Sequence, residues 1–307
     1  MIVKIIGSLL IGMLLTLEAT AKPLQLDAQY AVFDGDPVSL QQVLGKQPVY
    51  LKFWASWCLD CRRELPHLQQ TYERYRDRIA FYAVNLNINE EDTYIQALKD
   101  KHQLTIPIVM DNNGSIAGNF QFHGTPFHVL INRTGDVVYT TYKDDAQLAS
   151  NLEQLASLGT LATAKNSAQI ARTSTPVTLP EGLALVYFAT TWCDWYMADI
   201  HPDMARNCTQ ADQLVNQLHK QHPNIPLQSY VSHLWTEEKY LKEYIEKFNI
   251  RYPVTVDTEG AIARYYQNSE YPTLLLFDKG KELKRFSRFE NPEDVLAQLN
   301  TLLGKNK

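Results

Sequence analysis

Val49-Tyr50-Leu51-Lys52-Phe53-Trp54-Ala55-Ser56-Trp57-Cys58-Leu59-Asp60-Cys61-Arg62-Arg63-Glu64-Leu65-Pro66 is the stretch that decides the fold. Its first six residues are apolar and β-rich and read as a buried strand. A short turn delivers Cys58, Cys61 stands three residues on, and Arg62 to Arg76 reads as a helix. Strand, cysteine pair, helix is the setting in which Cys-x-x-Cys signals redox chemistry. The first turn of the helix offers unpaired N–H groups and a positive dipole end, which favour a thiolate at Cys58. The spacing exposes Cys58 at the tip and puts Cys61 one turn behind, close enough to displace a partner from a mixed disulfide. Half of a zinc site is the competing reading. Zinc wants four ligands, and neither a second Cys-x-x-Cys nor a closely spaced His pair is present.

Composition narrows the function classes. The chain has 307 residues, enough for two domains of ordinary size, with 45% hydrophobic and 21% charged residues, as in a soluble globular protein. A net charge of −5 gives no case for nucleic-acid binding. Four cysteines are too few to build a disulfide scaffold. Met1 to Lys4, the apolar run Ile5 to Leu17 and Ala19-Thr20-Ala21 form a secretory signal pattern over 1–21, with Lys22 as first mature residue. An uncleaved anchor is the alternative, although the run is shorter than the ~18 apolar residues of a spanning helix. Either way the bulk of the chain is expected outside the cytoplasm, in a periplasmic setting where disulfides persist.

Working outward, Ala31 to Phe33 with Asp34-Gly35-Asp36 reads as strand and turn, and Val38 to Leu44 as a short helix. Pro66 is expected to kink the helix that follows the cysteines. Ile79 to Leu86 reads as a strand. Asn89 to His102 reads as a polar helix, acidic at its start and basic at its end. Ile106 to Met110 is a short strand, and Ser115 to Phe120 a short helix. A strand entered through Pro126 and a hairpin partner over Val137 to Thr141 follow, and a helix over Asp145 to Leu158 closes the half. The alternation gives an α/β domain.

Phe53-Trp54-Ala55-Ser56-Trp57-Cys58-x-x-Cys61-x-x-Glu64-x-Pro66, with Gly124-Thr125-Pro126 and Leu130-Ile131-Asn132-x-x-Gly135, resembles the TlpA/ResA branch of the thioredoxin fold over about Leu26 to Leu158. These are periplasmic or membrane-tethered thiol-disulfide oxidoreductases. The resemblance implies Cys58 as nucleophile, Cys61 as resolving cysteine and Pro126 as a cis-proline facing them. Thr125 would offer its backbone to a substrate strand, Trp57 would flank the site, and Glu64 would help move protons. It also implies protein disulfides as substrates and a membrane thiol reductant as electron donor, with no cofactor. The chain departs from the family at Leu59-Asp60, where a proline often precedes the second cysteine. Asp60 opposes a thiolate while Arg62 and Arg63 favour it, so the direction of electron flow stays open.

After an Ala-, Thr- and Ser-rich segment over 159–180, read as a linker, the pattern restarts. Leu183 to Phe188 is apolar, and Ala189-Thr190-Thr191-Trp192-Cys193-Asp194-Trp195-Tyr196 repeats the cysteine motif with Tyr196 in place of the second cysteine. Tyr271-Pro272-Thr273 repeats the proline-led strand, Lys279-Gly280 turns into a strand over Glu282 to Phe286, and Pro292 to Leu303 reads as a closing helix. Asp257-Thr258-Glu259-Gly260-Ala261-Ile262-Ala263 echoes Asp111-Asn112-Asn113-Gly114-Ser115-Ile116-Ala117. Residues 181–307 therefore read as a degenerate thioredoxin-like domain, without a dithiol mechanism. Cys193 is a lone thiol, a partner of Cys208, or a buried relic. Pairing requires the chain to double back, since 15 residues of straight helix span ~22 Å, and Pro202 permits that. An oxidising compartment favours the bond.

The expected fold is thus α/β: two tandem thioredoxin-like domains, each a central mixed sheet flanked by helices, over 22–158 and 181–307. The expected function is an exported thiol-disulfide oxidoreductase. The alternatives are a client-binding scaffold and a copper-handling protein using Cys58 and Cys61 with His128, or Cys193 with His201. Scattered histidines at no ligand spacing weigh against a metal site.

Overall fold

A computed structural model describes residues 29–112, 114–161 and 182–305. The leader and most of the 159–180 segment lie outside them. In chain order the first half contains β1 (Tyr30–Val32), β2 (Gly35–Val38), α1 (Leu40–Val43), β3 (Val49–Trp54), α2 (Leu59–Tyr75), β4 (Ala80–Asn85), α3 (Asp92–His102), β5 (Ile108–Met110), β6 (Phe127–Ile131), β7 (Val137–Thr141) and α4 (Ala146–Leu158). The second half contains β8 (Leu183–Ala189), α5 (Cys193–Tyr196), α6 (Pro202–Gln221), β9 (Leu227–Ser232), α7 (Glu238–Lys247), β10 (Val254–Asp257), α8 (Ala261–Tyr265), β11 (Thr273–Asp278), β12 (Lys281–Phe286) and α9 (Pro292–Lys305).

The protein is α/β, with two mixed sheets flanked by helices. The first sheet runs β2-β1-β5-β4-β3-β6-β7 and the second β10-β9-β8-β11-β12. In the first, β3, β4 and β5 are parallel, β6 is antiparallel to β3, and β7 is antiparallel to β6. Strands β8, β9, β10, β11 and β12 reproduce that order and those senses. The topology places the cysteines. β3 ends at Trp54, and antiparallel β6 begins with Phe127 opposite Phe53. The turn leaving β3 and the turn entering β6 therefore meet at one sheet end, with Cys58 on the first and Pro126 on the second. The same logic brings Cys193, after β8, to Pro272, before β11.

Alternation along β3 divides the first core. Leu51 and Phe53 join Val84, Val109, Phe127 and Val129 on one face. Tyr50 and Trp54 point the other way, to Leu65 and Leu68 of α2 and Leu148, Leu152 and Leu155 of α4. Each such apolar side chain contributes ~1.5–3 kcal/mol on full burial. Trp192, Cys193, Met197, Ala205 and Cys208 of the second half belong to this same cluster, so the two halves share a core where their motifs meet.

Local chemistry moves some expected boundaries. α2 starts at Leu59 rather than Arg62 because Cys58 is its N-cap, its sulfur accepting the Cys61 N–H. Pro66 does not end the helix; the bond it cannot make falls on the Arg62 carbonyl, in a half-exposed turn. α3 starts at Asp92 rather than Asn89, because Glu90 folds inward to accept from the Ser56 N–H and the Asn85 amide. The expected helix over Ser115 to Phe120 shortens to a 3-10 turn over Ala117–Asn119. Asp111 accepts from Ile116 and Ala117 N–H, and Asp257 accepts from Ile262 and Ala263 N–H. The echo of those segments in sequence is thus an echo of one capping device. No helix among the described residues is long and apolar enough to cross a membrane.

Candidate active site

Cys58 and Cys61 are joined as a disulfide, with Cα atoms 5.2 Å apart. Cys58 Sγ accepts the Cys61 N–H at 3.2 Å and lies 3.6 Å from the Thr125 carbonyl oxygen. The Thr125–Pro126 peptide bond is cis, as is Tyr271–Pro272 in the second half. The Thr125 hydroxyl is buried without a hydrogen-bond partner. The motif carboxylate Asp60 turns away to the exposed Arg63.

One expectation is overturned. Cys58 was expected to be exposed at the helix tip, yet it is 2% exposed and Cys61 is fully buried. The cover is the second half. Trp57 stacks on Trp192 with ring centroids 5.0 Å apart, and Trp235 meets both edge-on at 5.4 and 5.2 Å. The Trp57 indole donates to the Ile88 carbonyl at 2.8 Å. Tyr196, which occupies the place of a resolving cysteine in the second motif, accepts through its hydroxyl from the Leu59 N–H at 3.1 Å. The two motifs face each other, and Tyr196 satisfies a first-turn donor of α2 that would otherwise need water.

The docking is reciprocal. The loop after β4 reaches the second proline turn, where Asn89 N–H donates to Ser269 C=O at 3.0 Å. The Asn89 side chain accepts from the Tyr271 N–H and donates to the Tyr271 carbonyl, as a paired strand would. The loop after β9 reaches the first proline turn, where Trp235 N–H donates to His123 C=O. Asn89 and Trp235 both hold positive φ, 49° and 53°. A Cβ at Gly124 would run into the Trp235 indole, so glycine is required there for the close approach.

Behind the cysteines lies a charged group. Lys52, on the α2 face of β3, is 1% exposed and pairs with Glu64 of α2. His128 Nε2 sits 3.5 Å from the same carboxylate, long for a hydrogen bond but close for a charge. The Tyr50 hydroxyl and His128 Nδ1 are hydrogen-bonded at 2.6 Å. Burial pushes the Glu64 carboxyl up, but His128 and Lys52 outweigh it, and Glu64 sits below the usual carboxylate value. Burial lowers Lys52, against the pull of Glu64. Burial likewise lowers His128, and Lys52 adds to that against Glu64. Glu90, two residues from Ile88 and bound to the Ser56 N–H, is pushed up by burial. Among the expected site residues, Cys58, Cys61, Thr125, Pro126 and Trp57 come together at one sheet end, and Glu64 lies one helical turn beyond Cys61. Reading the sequence missed Lys52 and Glu90; it singled out His128 only as a metal ligand, and it did not place Tyr196 and Trp235 over the cysteines. The available signal was Lys52 itself, a charge inside an otherwise apolar strand that demands a partner.

Cys193 and Cys208 form a second disulfide, with Cα atoms 6.2 Å apart. The helix breaks between Tyr196 and Pro202, and α6 doubles back. Of the three readings of Cys193, this structure has the pairing with Cys208. No cluster of three or more metal-ligating side chains occurs among the described residues.

The first half of the chain is similar to known proteins. Residues 18–140 match the model of the AhpC/TSA family. The thiol-disulfide oxidoreductase ResA of Halalkalibacterium halodurans is 30% identical over 105 residues, which are 34% of this chain and 58% of that protein. The thioredoxin-like protein YneN of Bacillus subtilis is 33% identical over 110 residues, 36% of this chain and 64% of that protein. The chain thus spans roughly three fifths of the length of these relatives. The crystal structure of StoA from Bacillus subtilis aligns over 45% of this chain and 97% of that one, at 28% identity and a TM-score of 0.37.

Proposed function

We propose that this chain, whose residues 18–140 match the AhpC/TSA family, is an exported thiol-disulfide oxidoreductase of thioredoxin fold that reduces protein disulfides. The observation that carries the reading is the Cys58–Cys61 disulfide at the N-terminus of α2, beside cis-Pro126. In the reduced protein the helix N-terminus and the Cys61 N–H favour the Cys58 thiolate. That thiolate attacks one sulfur of a client disulfide, forms a mixed disulfide and expels the other client sulfur as a thiolate. Cys61, deprotonated, attacks Cys58 Sγ, closes the Cys58–Cys61 bond and releases the second client thiol. Two electrons pass to the client, and a membrane thiol reductant restores the dithiol.

Glu64 serves as the proton acceptor for Cys61, one helical turn away, with Lys52 and His128 setting its affinity for the proton. Thr125 presents backbone to the client strand and Trp57 flanks it. The similarity to ResA, named a thiol-disulfide oxidoreductase, supports the chemistry. The signal pattern over 1–21 supports export to the periplasm. The repeated strand order supports the division into 22–158, a linker over 159–180, and a thioredoxin-like second domain over 181–307 that does not turn over.

A second reading, a client-binding protein without turnover, draws on the near-complete burial of Cys58. One assay separates them: reduction of insulin disulfides with dithiothreitol as electron source. Turnover above the uncatalysed rate that falls to background in Cys58→Ser is expected. Equal rates for wild type and Cys58→Ser would leave only the binding role.

A further inference from the structure

Beside the cis-proline, a cleft of about 650 Å³ opens between the two halves. That volume lies in the range of ligand-binding clefts, roughly 300–1,000 Å³. Thr125 and Pro126 line it from the first half together with Tyr142; Trp195, Glu237 and Tyr240 line it from the second. Trp195 and Tyr240 carry on into an adjoining depression of about 340 Å³ on the second half.

Three features of this cleft are unlike the rest of the surface. First, of the eight large hydrophobic side chains that stand exposed among the described residues, Tyr142, Trp195 and Tyr240 converge here, at 44%, 56% and 39% exposure. Exposed aromatics gathered in one concave place mark a recognition surface, whereas single ones do not. Second, the Thr125 hydroxyl is buried at this cleft without a partner. The corresponding proline turn of the second half is already engaged, because Asn89 pairs with both backbone groups of Tyr271. Trp235 does not repeat this at Thr125; it bonds to His123 and lies over Gly124 instead. Third, the charge is one-sided. Glu237 has no ion-pair partner among the described residues, and no Lys or Arg lines the cleft; Asp60, on the opposite wall, is already paired with Arg63.

We infer that this inter-half cleft is a client-recognition groove, which seats an extended cysteine-containing segment carrying an aromatic and a basic side chain beside its cysteine. The inference rests on the oxidoreductase reading and names the substrate class for it. An extended strand running past Thr125 brings its cysteine to Cys58, 3.6 Å from the Thr125 carbonyl. Its aromatic neighbour packs between Trp195 and Tyr240, and its cation faces Glu237. A folded surface cannot reach a cysteine that is 2% exposed; a single strand entering the cleft edge-on can. The second half thus supplies selectivity to chemistry performed by the first.

The test uses the full chain in its reduced form and three disulfides. One is a decapeptide with a Trp-Cys-Arg centre, disulfide-linked to glutathione; another is the same conjugate with an Ala-Cys-Ala centre; the third is oxidised glutathione. Each peptide reaction converts the protein dithiol and the conjugate into the Cys58–Cys61 disulfide, free peptide thiol and glutathione. The Trp-Cys-Arg conjugate is expected to react with kcat/KM ~10-fold above the Ala-Cys-Ala conjugate, a difference of ~1.4 kcal/mol. Trp195→Ala with Tyr240→Ala lowers the ratio towards one, and Glu237→Lys lowers it as well. Tyr265→Ala, at an exposed aromatic remote from the cleft, keeps it. A wild-type ratio near one, or a ratio that survives the double substitution, overturns the groove while leaving the oxidoreductase reading intact. No reduction of any of the three disulfides overturns both.

Discussion

Lys52→Met costs ~3 kcal/mol of stability at pH 7 and flattens the rise of stability with pH. The magnitude is that of removing one partner from a buried pair, ~3–5 kcal/mol, taken at its lower end because Glu64 is partly solvated. The sign follows from three groups. In the intact protein Glu64 is held below its ordinary value, so its contribution is complete above the unfolded carboxylate pKa and is lost as pH falls through the folded one. His128 is held low, so near its unfolded pKa the unfolded chain binds more protons, and stability rises with pH there. Without Lys52, Glu64 loses one of the two partners that hold its carboxyl down, and His128 loses the cation that helps burial hold it low. Both groups then bind protons in the folded state more nearly as they do in the unfolded chain. Stability of the variant therefore rises less steeply than that of the wild type as pH rises from about 4 to about 8. Urea denaturation across that range reads the slope directly. A variant with the wild-type slope means that Lys52 does not govern the Glu64–His128 pair.

Replacing Cys193 and Cys208 together by alanine costs ~3 kcal/mol but leaves turnover at Cys58 in place. A 15-residue separation closes a loop worth about that much in chain entropy of the unfolded state. Both cysteines lie in the apolar cluster that also holds Trp57 and Cys58, so the bond fixes the cover over the working pair. The expected result is a lower urea midpoint with a denaturant slope no shallower than the wild type's, because the unfolded chain loses a cross-link, and insulin reduction that persists. Loss of turnover in a variant that still folds would make the second disulfide part of the electron path.

Much of this was readable from residues. The apolar run over 49–54, the cysteine spacing and the proline-led strand at Phe127 fixed the first sheet, because each is a local signal. The second half was found through its repeat of Trp-Cys and of Pro272, not through its own periodicity, and α6, α7, β9 and β10 were not read at all. The burial of Cys58 was hidden for a different reason. Nothing local to Leu59 or Trp57 says that Tyr196 and Trp192 cover them; that follows from two motifs meeting across the halves, 137 residues apart in the case of Leu59 and Tyr196. Asn89 and Glu90 misled for a similar reason. They look like the polar start of a helix, yet one holds Tyr271 and the other holds Ser56.

The central claim is that Cys58 attacks client disulfides and Cys61 releases the product. Its most direct test is Cys61→Ser in the full chain, incubated in reduced form with a protein disulfide substrate, acid-quenched and mapped by peptide mass spectrometry. A client peptide disulfide-bonded to Cys58, with Cys193 still joined to Cys208, is the predicted result. A substrate that leaves no adduct on Cys58, or one that attaches through Cys193 or Cys208, would contradict the account.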